Sequence, residues 1–151
     1  MLTMKQVPKQ QAGFTLLEIM VVVVIIGIMA MVVAPQLLGR ADEARITKVR
    51  ADITALEAAL DLYRLDNYNY PTTNQGLEAL VSKPTTAPIP KIYKVGGYIK
   101  TLPKDPWGRD YLYLQPGVKG KFYDLYSLGA DGEEGGEGVN ADITNWDVEQ
   151  N

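Results

Sequence analysis

The residues best suited to chemistry lie in one acidic, glycine-rich segment near the C-terminus, Asp131 to Asp142. This segment is dense in carboxylate and carbonyl oxygens, and the whole chain contains no Cys and no His. Any metal bound there would therefore be a hard cation with oxygen ligands, and calcium suits a mobile loop that mixes carboxylates with carbonyls.

The spacing within this segment is only partly that of a known calcium loop. Its twelve residues place Gly136 sixth, as an EF-hand loop does, but the fifth position is Gly135 and no helix–loop–helix pattern flanks it. The pattern alone leaves two interpretations open, a calcium loop and a solvated acidic loop.

The lack of His and Cys also limits catalysis. It removes the usual general base, the common nucleophile pairs, almost every zinc site and any disulfide. Hydrolysis by carboxylates such as Asp105 and Asp110 stays conceivable, but no motif indicates a cleft. The basic residues are scattered singly, which disfavours nucleic-acid binding. We therefore expect a protein that is not an enzyme and binds no nucleic acid.

A second chemical feature is the carboxylate of Glu18 inside an apolar segment. Phe14 to Ala34 contains 21 residues and no other ionisable group, and a helix of that length spans about 30 Å, the thickness of a hydrocarbon core. Lys5 and Lys9 precede it, which predicts a cytoplasmic N-terminus. The apolar run is too long for a cleaved secretory signal peptide, and a plain signal anchor does not account for Glu18 or for Gly13 before it.

Beyond this segment the sequence predicts that one long helix continues to about Asp66, interrupted near Pro35. Its second half is amphipathic, with an apolar stripe predicted to pack on the rest of the domain. The stripe comprises Ile46, Val49, Ile53, Leu56, Leu60 and Tyr63.

The remaining elements are predicted from turn residues and alternation. A short helical piece is expected at Gly76–Ser82, a hairpin from strands at Tyr111–Leu114 and Lys121–Ser127, and a third strand at Tyr98–Ile99. The Tyr residues and Trp107 are expected to pack in the core or at interfaces. The predicted fold class is α+β, a helix on a small antiparallel sheet.

Four stretches carry a resemblance to a known family. Gly13-Phe14-Thr15-Leu16-Leu17-Glu18 resembles the prepilin processing motif, which all pilins and pseudopilins share. The other three are similar to the major pseudopilin of type II secretion systems. They are Tyr70 to Leu80 (YPTTNQGLEAL), Leu102 to Gly108 (LPKDPWG) and Tyr126 to Gly132 (YSLGADG).

The resemblance implies a role for particular residues. A prepilin peptidase would cut after Gly13 and methylate Phe14, and Glu18 would pair with the N-terminal amine of a neighbouring subunit. One structural calcium would be held by the Leu128 carbonyl, Asp131, carbonyls near Glu133 and Val139, and Asp142. Ala141 stands where some relatives have an aspartate.

The resemblance also implies an organisation and a function. Residues 1–13 would be a prepilin leader, 14–38 the transmembrane and assembly half of the helix, and 39–151 a periplasmic pilin-like domain with a C-terminal calcium loop. Anchored once in the bacterial inner membrane, among its lipids, the subunits would polymerise into a periplasmic pseudopilus that drives protein export. Minor pseudopilins, the assembly platform and its ATPase would be the partners.

Two alternatives come from other classes. One is a type IV pilin subunit of a surface fibre, although such pilins commonly carry a C-terminal disulfide that this chain cannot form. The other is a membrane-anchored monomeric binding or hydrolytic domain, which would keep residues 1–13.

Overall fold

The structure, a computed structural model, describes residues 13–119 and 122–147, with the backbone alone for residues 33–38. The predicted leader thus lies outside the described residues except for Gly13. The elements in chain order are a helix α1 (Leu16–Asn67), a 3₁₀ helix (Leu77–Leu80), strands β1 (Leu112–Leu114) and β2 (Asp124–Ser127), a second 3₁₀ helix (Gly138–Asn140) and strand β3 (Ile143–Thr144). Two compact units divide between Arg40 and Ala41.

Helix α1 confirms the predicted long helix to within two residues at its start and one at its end. Its backbone is helical through Pro35, so the helix does not open there, and the predicted kink at this proline stays a prediction. A proline removes one backbone donor, but the remaining hydrogen bonds of a long helix keep the neighbouring turns helical.

The large apolar side chains described in the first unit are exposed. Those from Phe14 to Val32 have between 46% and 81% of their surface accessible in the isolated chain. Among the described residues, no helix combines the length and the apolar character that crossing a membrane requires. The transmembrane role predicted for residues 14–38 stays a prediction.

The second unit buries the predicted stripe. Val49, Ile53, Leu56, Leu60 and Tyr63 are each at most 3% exposed, and Ile46 packs against them while partly buried. Spacings of three and four residues bring these side chains to one face of α1, and the sheet covers that face. The core is completed by Leu77, Leu80, Tyr111, Tyr123, Leu125 and Ile143.

The sheet has three antiparallel strands in the order β1-β2-β3. The predicted hairpin is confirmed, with Tyr113 opposite Leu125. The third strand predicted at Tyr98–Ile99 is wrong. The amides of both residues donate to the Leu80 carbonyl, at 2.7 and 3.2 Å, which attaches this segment to the first 3₁₀ helix. Strand β3 takes the third place in the sheet.

Candidate functional site

The acidic segment connects two neighbouring strands. Strand β2 ends at Ser127 and β3 begins at Ile143, and these two residues are paired across the sheet. Since the strands are antiparallel, the chain leaves and re-enters the sheet at the same place. Leu128 and Asp142, at the two ends of the predicted ligand set, are therefore held close by the sheet itself.

Backbone hydrogen bonds close the loop between these ends. The Ala130 amide donates to the Val139 carbonyl at 2.9 Å, and the Gly132 amide donates to the Leu128 carbonyl at 3.3 Å. The chain can turn tightly because Gly129 has φ 63°, and a Cβ there would lie 2.6 Å from the Asn140 carbonyl oxygen.

The two aspartates of the predicted set bond to the loop backbone. Asp131 Oδ1 accepts from the Glu133 amide at 3.1 Å, and Asp142 Oδ2 accepts from the Gly135 amide at 3.0 Å. The other Asp142 oxygen, Oδ1, is buried and has no hydrogen-bond partner among the described residues. One carboxylate oxygen of this loop is therefore shielded from water and has no hydrogen-bond donor among the described residues.

The structure brings the five predicted ligand residues into one closed loop but does not test their role. Leu128, Val139 and Asp142 are half-buried, whereas Asp131 and Glu133 are exposed. In the described part of the chain, no three Asp, Glu, His or Cys side chains form a metal-binding group. The predicted set contains only two side-chain carboxylates, and its other members are backbone carbonyls.

Sequence reasoning missed a polar network that contacts this loop. Asp105, 4% exposed, accepts from the hydroxyl of Ser127 and from two backbone amides, and Arg109 donates to the Gly129 carbonyl. Asp105 is thus a structural carboxylate, while Asp110 is exposed and pairs with Lys104. In the sequence, the DPWG stretch indicated the family. No local pattern indicated that Arg109 contacts Gly129, which lies 20 residues further along the chain.

Seven of the nine tyrosines pack in or against the core, as predicted, whereas Tyr68 is exposed. Tyr63, Tyr70, Tyr111 and Tyr123 are buried, and Trp107 is packed against the core. Burial raises the pKa of Tyr123, and nearby acidic groups, Glu57 first among them, raise it further. The pKa shift keeps the phenol neutral, so this cluster is apolar packing with hydroxyl donors.

At the start of α1, Thr15 caps the helix. Its hydroxyl accepts from the Glu18 amide at 3.2 Å, which is the N-cap hydrogen bond of the T-x-x-E sequence pattern known as a capping box. Sequence reasoning did not identify this box, although the spacing could have shown it. Gly13 and Phe14 precede the helix and are exposed, and no described cation lies within ion-pair distance of Glu18.

Comparison with known proteins gives consistent matches over the chain. The family model of type II secretion system (T2SS), protein G, matches residues 36–146, and that of the prokaryotic N-terminal methylation motif matches residues 8–34. The type II secretion system core protein G of Pseudomonas aeruginosa is 62% identical over 92% of this chain and 97% of its own length. The corresponding protein of Vibrio cholerae is also 62% identical, over 93% of this chain and 95% of its own length.

A solved structure agrees with these matches. The crystal structure of the major pseudopilin from the type 2 secretion system of enterohaemorrhagic Escherichia coli has a TM-score of 0.65 and 52% sequence identity. The match covers 75% of this chain and 96% of that chain.

An N-terminal methylation motif, a long helix and a small antiparallel sheet against its second half together define a pilin-like subunit. Within that class, the chain belongs to the type II secretion system protein G family, the major pseudopilins. This confirms the predicted fold class and function over a surface-fibre pilin or a monomeric hydrolytic domain. It also implies a structural rather than an enzymatic role.

Proposed function

We propose that this chain is the repeating subunit of a periplasmic pseudopilus that drives protein export, and that it waits in the inner membrane before assembly. The observation that carries the proposal is the exposure of every large apolar side chain described between Phe14 and Val32. Covering such a surface with lipid, and later with neighbouring subunits, removes it from water. The second unit has its own core, so it can remain folded in the periplasm during this exchange.

Processing precedes assembly in this proposal. A prepilin peptidase cuts after Gly13 and methylates Phe14, and the matched methylation motif spans both residues. Glu18 then meets the new N-terminal amine of a neighbouring subunit. The lack of a described cation beside Glu18 supports this, since an unpaired carboxylate among apolar side chains is costly until a partner arrives.

The remaining proposed partners are an ATPase, an assembly platform and minor pseudopilins. Its sequence contains no nucleotide-binding motif, so the energy for extraction from the membrane comes from an ATPase acting through an assembly platform. Minor pseudopilins complete the filament. The short N-terminus is cytoplasmic and the domain from residue 39 onward is periplasmic.

The acidic loop holds a structural calcium ion in this proposal. The ligands are the carboxylates of Asp131 and Asp142, the carbonyl of Leu128, and carbonyls near Glu133 and Val139. The donor set fits, because it consists of oxygens and includes Asp142 Oδ1, which is buried and has no hydrogen-bond partner in the described part of the chain. The ion supplies positive charge, and the chain supplies the two loop ends that the β2–β3 pair holds together.

Complementation of a secretion-defective strain tests the main proposal. Cells that lack the endogenous gene receive the wild-type chain, the Glu18→Ala variant or the Glu43→Ala variant. Glu43→Ala is the control, because it removes an exposed carboxylate outside the apolar segment. We expect secretion and pseudopilus assembly with wild type and Glu43→Ala. Glu18→Ala should insert in the membrane but assemble poorly. Normal filament yield from Glu18→Ala would contradict the registering role of this carboxylate.

A further inference from the structure

A buried carboxylate organises the turn that precedes β1. Asp105 Oδ1 accepts from the amides of Trp107 and Arg109, at 3.1 and 2.8 Å. Asp105 Oδ2 accepts from the hydroxyl of Ser127 at 2.9 Å, and Ser127 is only 1% exposed. The carboxylate therefore joins this turn to the last residue of β2, immediately before the acidic loop.

The guanidinium of Arg109 extends from this turn to the loop. Its Nε lies 3.8 Å from Asp105 Oδ2, and its Nη2 donates to the Gly129 carbonyl. A Cβ on Gly132 would lie only 2.9 Å from Arg109 Nη1. The guanidinium thus packs against both ends of the short turn from Gly129 to Gly132.

We propose that Arg109 is a positioning residue for the predicted calcium loop, holding residues 128–132 in the binding conformation before the ion arrives. This inference rests on the calcium site proposed above. Gly129 lies between two predicted ligands, the Leu128 carbonyl and Asp131, so fixing its carbonyl limits the orientations of both. A loop that is already ordered binds more tightly, because less of the binding free energy is spent on ordering it.

The sign of the effect separates positioning from electrostatics. Arg109 places a positive charge beside a site that would hold a cation, and charge repulsion alone weakens calcium binding. Removal of the guanidinium would therefore strengthen binding if charge were its main contribution. Removal weakens binding if the guanidinium orders the loop.

The experiment measures calcium affinity by titration calorimetry on the full chain in detergent. Arg109→Ala should raise the dissociation constant about tenfold, as expected for loss of a charge-assisted hydrogen bond. Arg109→Lys keeps the charge but lacks the planar guanidinium, which donates to the Gly129 carbonyl while its Nε lies 3.8 Å from Asp105 Oδ2. We expect this variant to bind calcium about threefold to tenfold more weakly. Arg45→Ala, which removes an exposed cation paired with Asp42, should bind like wild type.

A second measurement distinguishes a loss of loop positioning from a general loss of stability. The melting temperature of each variant is taken in calcium and in excess chelator. A merely structural role lowers both values equally, whereas positioning reduces the difference between them. Arg109→Lys supplies the test if Arg109→Ala does not fold.

The outcomes distinguish the two proposals. Equal or tighter calcium binding by both Arg109 variants overturns the positioning role and leaves the calcium site intact. A wild-type chain that binds no calcium overturns the site itself and, with it, the role of Arg109.

Discussion

The hydroxyl of Tyr111 donates a 2.7 Å hydrogen bond to Asp52 Oδ2, joining residues 59 apart in the sequence. Asp52 belongs to α1, and Tyr111 directly precedes β1, so this contact ties the sheet to the helix. Burial, and then the hydrogen bond to Asp52, raises the pKa of Tyr111 well above its usual range. The phenol therefore remains a proton donor at every physiological pH.

Removal of that hydroxyl should destabilise the second unit. We expect Tyr111→Phe to lower the free energy of unfolding by about 1.5–2 kcal/mol, the lower part of the usual cost of losing a hydrogen bond to a charged acceptor. The loss of stability is limited because the Asp52 carboxylate keeps a second partner after the substitution, Lys48 Nζ, which also contacts Oδ2. Denaturant unfolding of the full chain in detergent measures it. Tyr68→Phe, at a residue 86% exposed, is the control and should change little.

Stability should fall at alkaline pH. Burial, and then the hydrogen bond to Asp66, raises the pKa of Tyr98 to about 12, from 10.0 in the unfolded chain. The folded state therefore binds the phenolic proton more tightly, and this stabilisation is complete below pH 10. We expect it to disappear as pH rises from 10 towards 12.

The measurement for this prediction is the free energy of unfolding across pH 8 to 11.5, with tyrosinate absorbance recorded in parallel. Tyr98→Phe removes the titrating group and should show a shallower decline than wild type. Other buried tyrosines shift in the same direction, so some decline should remain. An identical pH slope in the variant and in wild type would contradict the assignment to Tyr98.

Helix α1 ends in a strained conformation that can be relieved. Tyr68 has φ 64°, and its amide donates to the Arg64 carbonyl at 2.6 Å, as in a left-handed helix cap. A glycine normally occupies this position, because a side chain there costs about 1–2 kcal/mol. Tyr68→Gly should therefore raise the free energy of unfolding by about 1 kcal/mol.

The control for this prediction is Tyr68→Ala, which removes the ring but keeps the Cβ. It should give no such gain, since the steric cost arises from the Cβ. Equal stability of the Gly and Ala variants in denaturant unfolding would show that the ring, rather than the backbone conformation, determines the effect.

Elements with a regular spacing could be predicted from the sequence. The stripe from Val49 to Tyr63 repeats every three or four residues, and β1 and β2 alternate, so local pattern was sufficient for both. Strand β3 has two residues, Ile143 and Thr144, which is too short for alternation to be recognised. Tyr98–Ile99 looked like a strand, but its amides bond to Leu80, a preference that no local pattern encodes.

The acidic loop could be recognised from its composition, but the side-chain contacts that hold it in place could not. Asp131 to Asp142 stand out by acidic and glycine content, and resemblance to a family supplied the ligand set. The contact from Arg109 to Gly129 joins residues 20 apart, through a turn whose central carboxylate, Asp105, bonds to Ser127 of β2. Such contacts depend on how the sheet brings distant segments together, which single-sequence patterns do not contain.

Calcium should stabilise the chain through Asp142. Its Oδ1 is buried without a partner among the described residues, while Oδ2 accepts from the Gly135 amide. A bound cation would satisfy the first oxygen and leave the second in place. We expect the wild-type melting temperature to rise in calcium relative to excess chelator, by mass action on the folded state. Asp142→Asn should lose most of that rise, since an amide oxygen is a neutral and weaker ligand.

Two further variants decide whether the rise belongs to one site or to a diffuse acidic surface. Asp131→Ala removes a predicted ligand and should abolish most of the rise. Glu134→Gln removes an exposed negative charge from the same loop without touching the predicted set, and should keep it. Simple screening of a solvated acidic loop would make all three substitutions equivalent, because each removes one negative charge. Equal effects, or a wild-type chain indifferent to chelator, would therefore contradict a calcium site and leave the loop as charged surface.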